Sequence, residues 1–202
     1  MPTEFSWSAV LDAWFGETRS NVNAIGPRMA WWFGPDKERD EMLAEMFGDC
    51  CQAALQGQLA QWQSEARSRL GLILMLDQFP RNLFRGTPRA FAGDDRAAML
   101  CLSGVAAGTD RELSPAERIF YYMPLQHAED RITQRVSVKL FNQLAQEHVD
   151  QPVFSGCAEY AQLHLDIVEQ FGRFPHRNEI LGRTSTPEET EYLASGGERF
   201  GQ

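Results

Sequence analysis

The sequence predicts an all-α fold of stacked helical hairpins with no sheet, and three observations predict it. Apolar residues recur at spacings of three and four through most of the chain, the repeat of one buried helix face. No segment alternates apolar and polar residues with period two, so nothing reads as a half-buried strand. Helix-start signals also recur. Ser114-Pro115-Ala116-Glu117 and Thr186-Pro187-Glu188-Glu189 each set a hydroxyl three residues before a glutamate, with proline at the first helical position. About eight to ten helices with short breaks are expected, in a single all-helical domain over residues 1–202.

Taken in order, the first helix is expected from Phe5 to Phe15, where Val10, Leu11, Trp14 and Phe15 share a face and Gly16 stops it. Trp31, Trp32 and Phe33 precede the breaker Gly34-Pro35 and read as the anchor of a loop. From Asp36 to Leu55, the residues Leu43, Met46, Phe47, Cys50 and Ala54 form an inward stripe behind a solvated first turn. The segment Leu59 to Phe79 turns Trp62 and Ala66 inward and contains Leu72 to Leu76, a run with no polar face that belongs at the centre of a core. Pro80 is expected to end or bend that helix.

Asp94 starts a helix rich in small residues, closed by Gly108. The helix launched at Ser114 carries Ile119 to Met123 and is expected to break at Pro124. From Leu125 it resumes with His127, Glu129 and Asp130, followed by a buried stripe of Ile132, Val136, Leu140 and Leu144. Pro152 leads into Phe154 to Phe171, with Tyr160, His164, Val168 and Phe171 on one face, and Gly172 ends it. A short last helix runs from Thr186 through Tyr192 and Leu193.

Composition excludes several functions. A net charge of −9 with no basic run argues against a nucleic-acid partner, whose phosphates must be neutralised. Cys50, Cys51, Cys101 and Cys157 show no C-x-x-C spacing, and the vicinal pair sits in a helical pattern where a disulfide would strain the backbone, so all four read as reduced. There is no charged-then-apolar leader and no apolar run approaching the ~18 residues that span a bilayer. A soluble, cytoplasmic protein without membrane partners is expected, its oligomeric state left open.

Directly after Leu76 the chemistry changes: Asp77, Gln78, Arg81, Asn82, Arg85, Arg89, Asp94, Asp95 and Arg96 follow the most apolar segment of the chain. Glu169 to Pro187 repeats this corner in altered form, again running acid, Gln, Phe, then Pro, Arg-Asn and Thr-Pro. The blocks DQFPRN, AERIFYYMPLQHAED and FGRFPHRNEILGRTSTPEE resemble the signature blocks of the bacterial domain of unknown function 924 family, and the resemblance runs from VLDAWFG to EETEYL. It implies an all-helical fold similar to tetratricopeptide-repeat proteins, and no established activity. No period of ~34 residues with the tetratricopeptide consensus is present, so the likeness is one of architecture.

The candidate ligand-binding residues are Asp77, Arg81, Asn82 and Arg85 of the first corner and Arg173, His176, Arg177, Asn178 and Arg183 of the second. Converging guanidiniums are either paired with carboxylates such as Asp77, Asp94, Glu129 and Glu169, or reserved for a phosphate or carboxylate ligand, and the sequence leaves both open. His127 and Asp130 are the candidate catalytic pair: on one helix face the carboxylate would orient the imidazole as acid or base. The rival reading of His127 is a capping histidine, and His164 reads as core. No metal or cofactor is expected. His127, Glu129, Asp130 and His176 are ligand types, but no H-E-x-x-H or Glu-x-x-His pair is present and the arginines oppose a cation. No Gly-x-Ser-x-Gly elbow exists.

The function expected is therefore a pocket for a small anionic metabolite between the corners, with histidine-assisted acid–base chemistry; the alternative is a non-catalytic tetratricopeptide-like scaffold for a peptide or protein partner. The corners are expected to lie together, with Arg81 and Arg173 flanking the site and His127 within reach.

Overall fold

The computed structural model describes residues 5–200 and builds nine α-helices and six short 3₁₀ turns among them, with no strand. Helix α1 (Trp7–Phe15) is capped by the Ser6 hydroxyl and stopped at Gly16, whose φ of +52° a side chain would disfavour. Its stripe of Val10, Leu11, Trp14 and Phe15 is fully buried. In α2 (Ile25–Phe33) the Trp32 indole N–H donates to the Trp14 carbonyl at 2.9 Å, so this tryptophan is the anchor its position before Gly34-Pro35 suggests.

Asp36 caps α3 (Lys37–Leu55), which buries Leu43, Phe47, Cys50 and Ala54. Met46, expected in that stripe, is 58% exposed. It falls on one flank of the face, and Cys51 on the opposite flank is buried in its place. The four cysteines are free thiols, and burial pushes Cys50 and Cys51 up to about 12. Thermal unfolding followed by circular dichroism is accordingly expected to give the same midpoint with and without reductant.

At the centre stands α4 (Ala66–Leu83), packed against α1, α3, α5 (Asp94–Ala107) and α6 (Pro115–His127). Every residue from Leu70 to Pro80 is buried, as a helix covered on all sides requires. The helix begins after a separate 3₁₀ turn, Ala60–Gln63, and runs through Pro80 to Leu83 instead of ending there. Proline removes one N–H, the donor that the Leu76 carbonyl would receive. Gly93 packs its backbone against that carbonyl, where any side chain would collide.

Helix α6 likewise runs through Pro124 and ends at His127. The chain turns at Ala128, and Asp130 is the N-cap of α7 (Arg131–Glu147), its carboxylate accepting from the Thr133 backbone N–H and hydroxyl at 2.7 Å each. A capping aspartate favours extended backbone, which explains why the helix does not continue from Leu125 through Asp130. That start sets the register of α7: Gln134, Ser137, Leu140, Phe141 and Leu144 are buried, while Ile132, expected inside, is 73% exposed. Gln134 donates to the carbonyls of Gln126 and Ala128, closing the end of α6.

Helix α8 (Pro152–Phe171) pairs with α7 and ends at Gly172 in the left-handed region. Its buried face includes His164 and Val168, whereas Tyr160 lies at the edge, 53% exposed. The short α9 (Pro187–Ala194) starts with the predicted capping box, Thr186 and Glu189. Consecutive helices from α3 to α8 pack on one another, the contact order of stacked hairpins. One apolar cluster runs from Val10 to Ala161, and Ile167, Val168 and Phe174 form a small second one. No helix among the described residues is long and apolar enough to cross a membrane.

Candidate functional site

The two polar corners meet at one carboxylate, Asp94, in the first turn of α5. Arg81, in the last turn of α4, grips it with both Nη atoms at 2.8 and 2.9 Å, and Arg177, from the 3₁₀ turn Pro175–Arg177, reaches its Oδ2 at 3.3 Å. Arg81 also donates to the Asp77 carbonyl at 2.7 Å and lies 3.4 Å from the Asp77 carboxylate. Asp77, fully buried, receives Gln78 at 2.5 Å and His127 Nδ1 at 2.6 Å. Arg177 then closes the circuit by donating to the His127 carbonyl at 3.1 Å. His127, Asp77, Arg81, Asp94 and Arg177 thus form a ring of contacts drawn from α4, α5, α6 and the second corner.

The electrostatics of the ring assign its protons. Burial works against the Asp77 charge, but His127, the Arg81 guanidinium and their hydrogen bonds hold the carboxyl well below its ordinary range. An ionised Asp77 only accepts, so Nδ1 of His127 carries the hydrogen and donates it. Burial, followed by the Arg81 charge, lowers the His127 pKa, which leaves a neutral ring with Nε2 as its basic nitrogen. The Arg177 guanidinium lies over the rings of both Phe91 and Phe174, 4.8 and 4.5 Å from their centroids. Its Nε is buried without a hydrogen-bond partner among the described residues, and burial brings its pKa down to about 10. Arg81 holds the shorter bonds to their shared carboxylate, so Arg177 is the less compensated cation.

The remaining candidates belong to a second network. Glu129, in the turn between α6 and α7, accepts Arg183 at 2.9 Å and the Phe174 backbone N–H at 2.8 Å. Arg183 also reaches Asn178 at 2.9 Å, and Asn178 donates to Glu189 and Ser185. Arg173 pairs with Glu189 through two bonds of 2.6 and 2.8 Å, which holds the Glu189 carboxyl down at about 2. These contacts tie the second corner to α9 and to the α6–α7 turn. Arg177, and not Arg173, is therefore the second-corner arginine that meets Arg81. Asn82 donates to the Gln78 carbonyl at 3.3 Å, and Arg85 lies 3.3 Å from Asp40 near the start of α3.

The expected pairing of His127 with Asp130 is overturned: they lie on either side of a turn, Asp130 is an exposed cap, and the carboxylate on His127 is Asp77. His164 is buried as expected, with Nδ1 2.7 Å from the Tyr160 carbonyl and its ring 6.0 Å from that of His127. His176 is also buried, and its Nδ1 has no hydrogen-bond partner among the described residues. Asp94 counts in the sequence only as one of several neutralising acids, and no spacing marks it as the junction. Phe174, next to Arg173 in sequence, carries a faint signal for the stacking, and Phe91, between two alanines, carries none. Among the described residues no group of three His, Cys, Asp or Glu side chains is arranged to hold a metal ion. A groove of about 710 Å³ lies elsewhere, lined by residues such as Trp7, Leu59 and Trp62. It contains none of the titratable groups of the ring, so the ring is the stronger candidate for chemistry.

The fold and the ring define an all-helical protein with a buried Asp–His pair flanked by arginines. The chain belongs to the family described as bacterial protein of unknown function (DUF924), whose model matches residues 10–197. It is also similar to the solved structure of a protein of unknown function from Agrobacterium tumefaciens, with 37% identity and a TM-score of 0.77 over 94% of this chain and 97% of that one. No curated protein matches significantly.

Proposed function

We propose that the ring binds a small phosphate- or carboxylate-bearing molecule at Arg177, with His127 as the acid or base that acts on it. The observation that carries this reading is the state of Arg177, which is buried, packed over two phenyl rings and left with the weaker share of Asp94. An oxyanion beside it would supply the missing compensation, in the planar geometry that guanidinium favours. Asp77 has no exposure, whereas the His127 side chain retains 12%, so the imidazole is the open side of the pair. A neutral imidazole with Nδ1 held by a carboxylate presents Nε2 as an oriented base.

Inorganic phosphate and citrate are expected to raise the thermal midpoint of the wild-type protein. Arg177→Gln is expected to abolish that rise while changing unligated stability by less than about 1 kcal/mol, because Asp94 keeps its two-pronged bond to Arg81. His127→Gln is expected to keep the rise, since its carbonyl, and not its ring, holds Arg177. A full anion shift in Arg177→Gln would place the anion elsewhere and end this reading.

A further inference from the structure

After α9 the chain folds back, and Phe200 stacks on His164 with ring centroids 3.8 Å apart and planes at 17°. The same ring meets His176 edge-on at 5.5 Å and lies 6.0 Å from both Phe174 and Tyr160. Phe200 is the single non-glycine residue among those described with positive φ, at +50°, a conformation disfavoured for a bulky side chain. Among the described residues, Gly197 and Glu198 donate to the carbonyl and hydroxyl of Tyr192, and Arg199 reaches the Leu193 carbonyl at 3.4 Å. A well-fitted ring thus sits on a strained backbone. Of the buried polar atoms that lack partners among the described residues, His176 Nδ1 belongs to a ring that Phe200 meets, and Arg177 Nε belongs to the guanidinium over Phe174, which Phe200 also meets.

An aromatic slot beside an under-compensated guanidinium suits one kind of molecule. Resting on the function proposed above, we infer that the ligand is an anion bearing a flat aromatic ring, and that this ring replaces Phe200 on His164 while the anionic group reaches Arg177. His164 offers a π-face without charge, because burial holds its imidazole neutral with a pKa of about 3. Phe174 lines both parts of the path, touching His164 at 5.6 Å and the Arg177 guanidinium at 4.5 Å. Displacing Phe200 gives up one stack and releases the strained φ, and the incoming ring restores the stack. An aliphatic anion would leave Phe200 in place and gain nothing from the slot.

Phenyl phosphate and inorganic phosphate, titrated calorimetrically into the full chain, separate these cases. The wild-type protein is expected to bind phenyl phosphate about tenfold more tightly than phosphate. Phe200→Ala is expected to strengthen phenyl phosphate binding severalfold by removing the competing ring, and to leave phosphate binding unchanged. Equal affinity for the two anions, or weaker phenyl phosphate binding in Phe200→Ala, overturns the inference while leaving the anion site standing. Binding of neither anion overturns the parent reading with it. In the wild-type protein, nuclear Overhauser contacts between Phe200 and His164 are expected to vanish at saturating phenyl phosphate, and their persistence also overturns it.

Discussion

Replacing Asp94 with alanine is expected to destabilise the protein by about 3 to 5 kcal/mol, the cost of leaving buried charge without its partner. Among the described residues Asp94 is the one carboxylate paired with both Arg81 and Arg177, each largely buried, so its loss strands two guanidiniums at once. Asp77 is 3.4 Å from Arg81 and already committed to His127 and Gln78, so it offers limited relief. Arg81→Ala is expected to fall in the same range, by stripping Asp94 of its two short bonds. Denaturant unfolding at pH 7.5 with linear extrapolation measures both. Losses under about 1 kcal/mol would mean that the ring is hydrated and contributes little to the fold. Arg81 and Asp94 thus set the frame on which Arg177 and His127 are held.

Acidification should unfold the protein well above the range where carboxylates titrate. Burial, with the Arg177 charge added at His176, holds His164 and His176 at about 3, against an ordinary value of 6.5. Well above pH 6.5 neither state binds a proton at these rings, and their contribution to stability is constant. Between pH 6.5 and 3 the unfolded chain takes up protons that the folded chain refuses, so stability falls as pH falls. Each ring contributes up to about 1.4 kcal/mol per pH unit, a slope approached below the unfolded pKa, which gives about 3 kcal/mol for the pair between pH 6.5 and 5. His127, also lowered, acts in the same direction. The depressed Asp77 loses its own contribution only at more acid pH, as it protonates. Urea midpoints at pH 7.5, 6.5 and 5.5 test the slope, and His164→Leu is expected to remove about half of it. A flat profile down to pH 5 would show that both rings become charged inside the fold at little cost.

What the sequence determined alone follows from interactions short along the chain. The period of the apolar stripes, the two capping boxes, the glycines after α1, α5 and α8 and the unbroken apolar run of α4 are all local, and together they define an all-helical protein and its central helix. The echo between DQFPRN and EQFGRFPHRN also marks two segments that tertiary packing brings to one carboxylate. Local rules expected a break at Pro124 and an end or a bend at Pro80, and neither proline stops its helix, because surrounding helices keep the chain helical past a missing N–H. They misplaced His127 relative to Asp130, because a capping aspartate and a helical one look the same until the backbone on either side is known. Only the tertiary structure decided which acid meets which base. Asp77 lies fifty positions from His127, Asp94 eighty-three from Arg177, and Phe200 thirty-six from the His164 ring it covers. Such pairings depend on how whole helices cross, and no spacing along the chain encodes the angle at which α4, α5 and α6 converge.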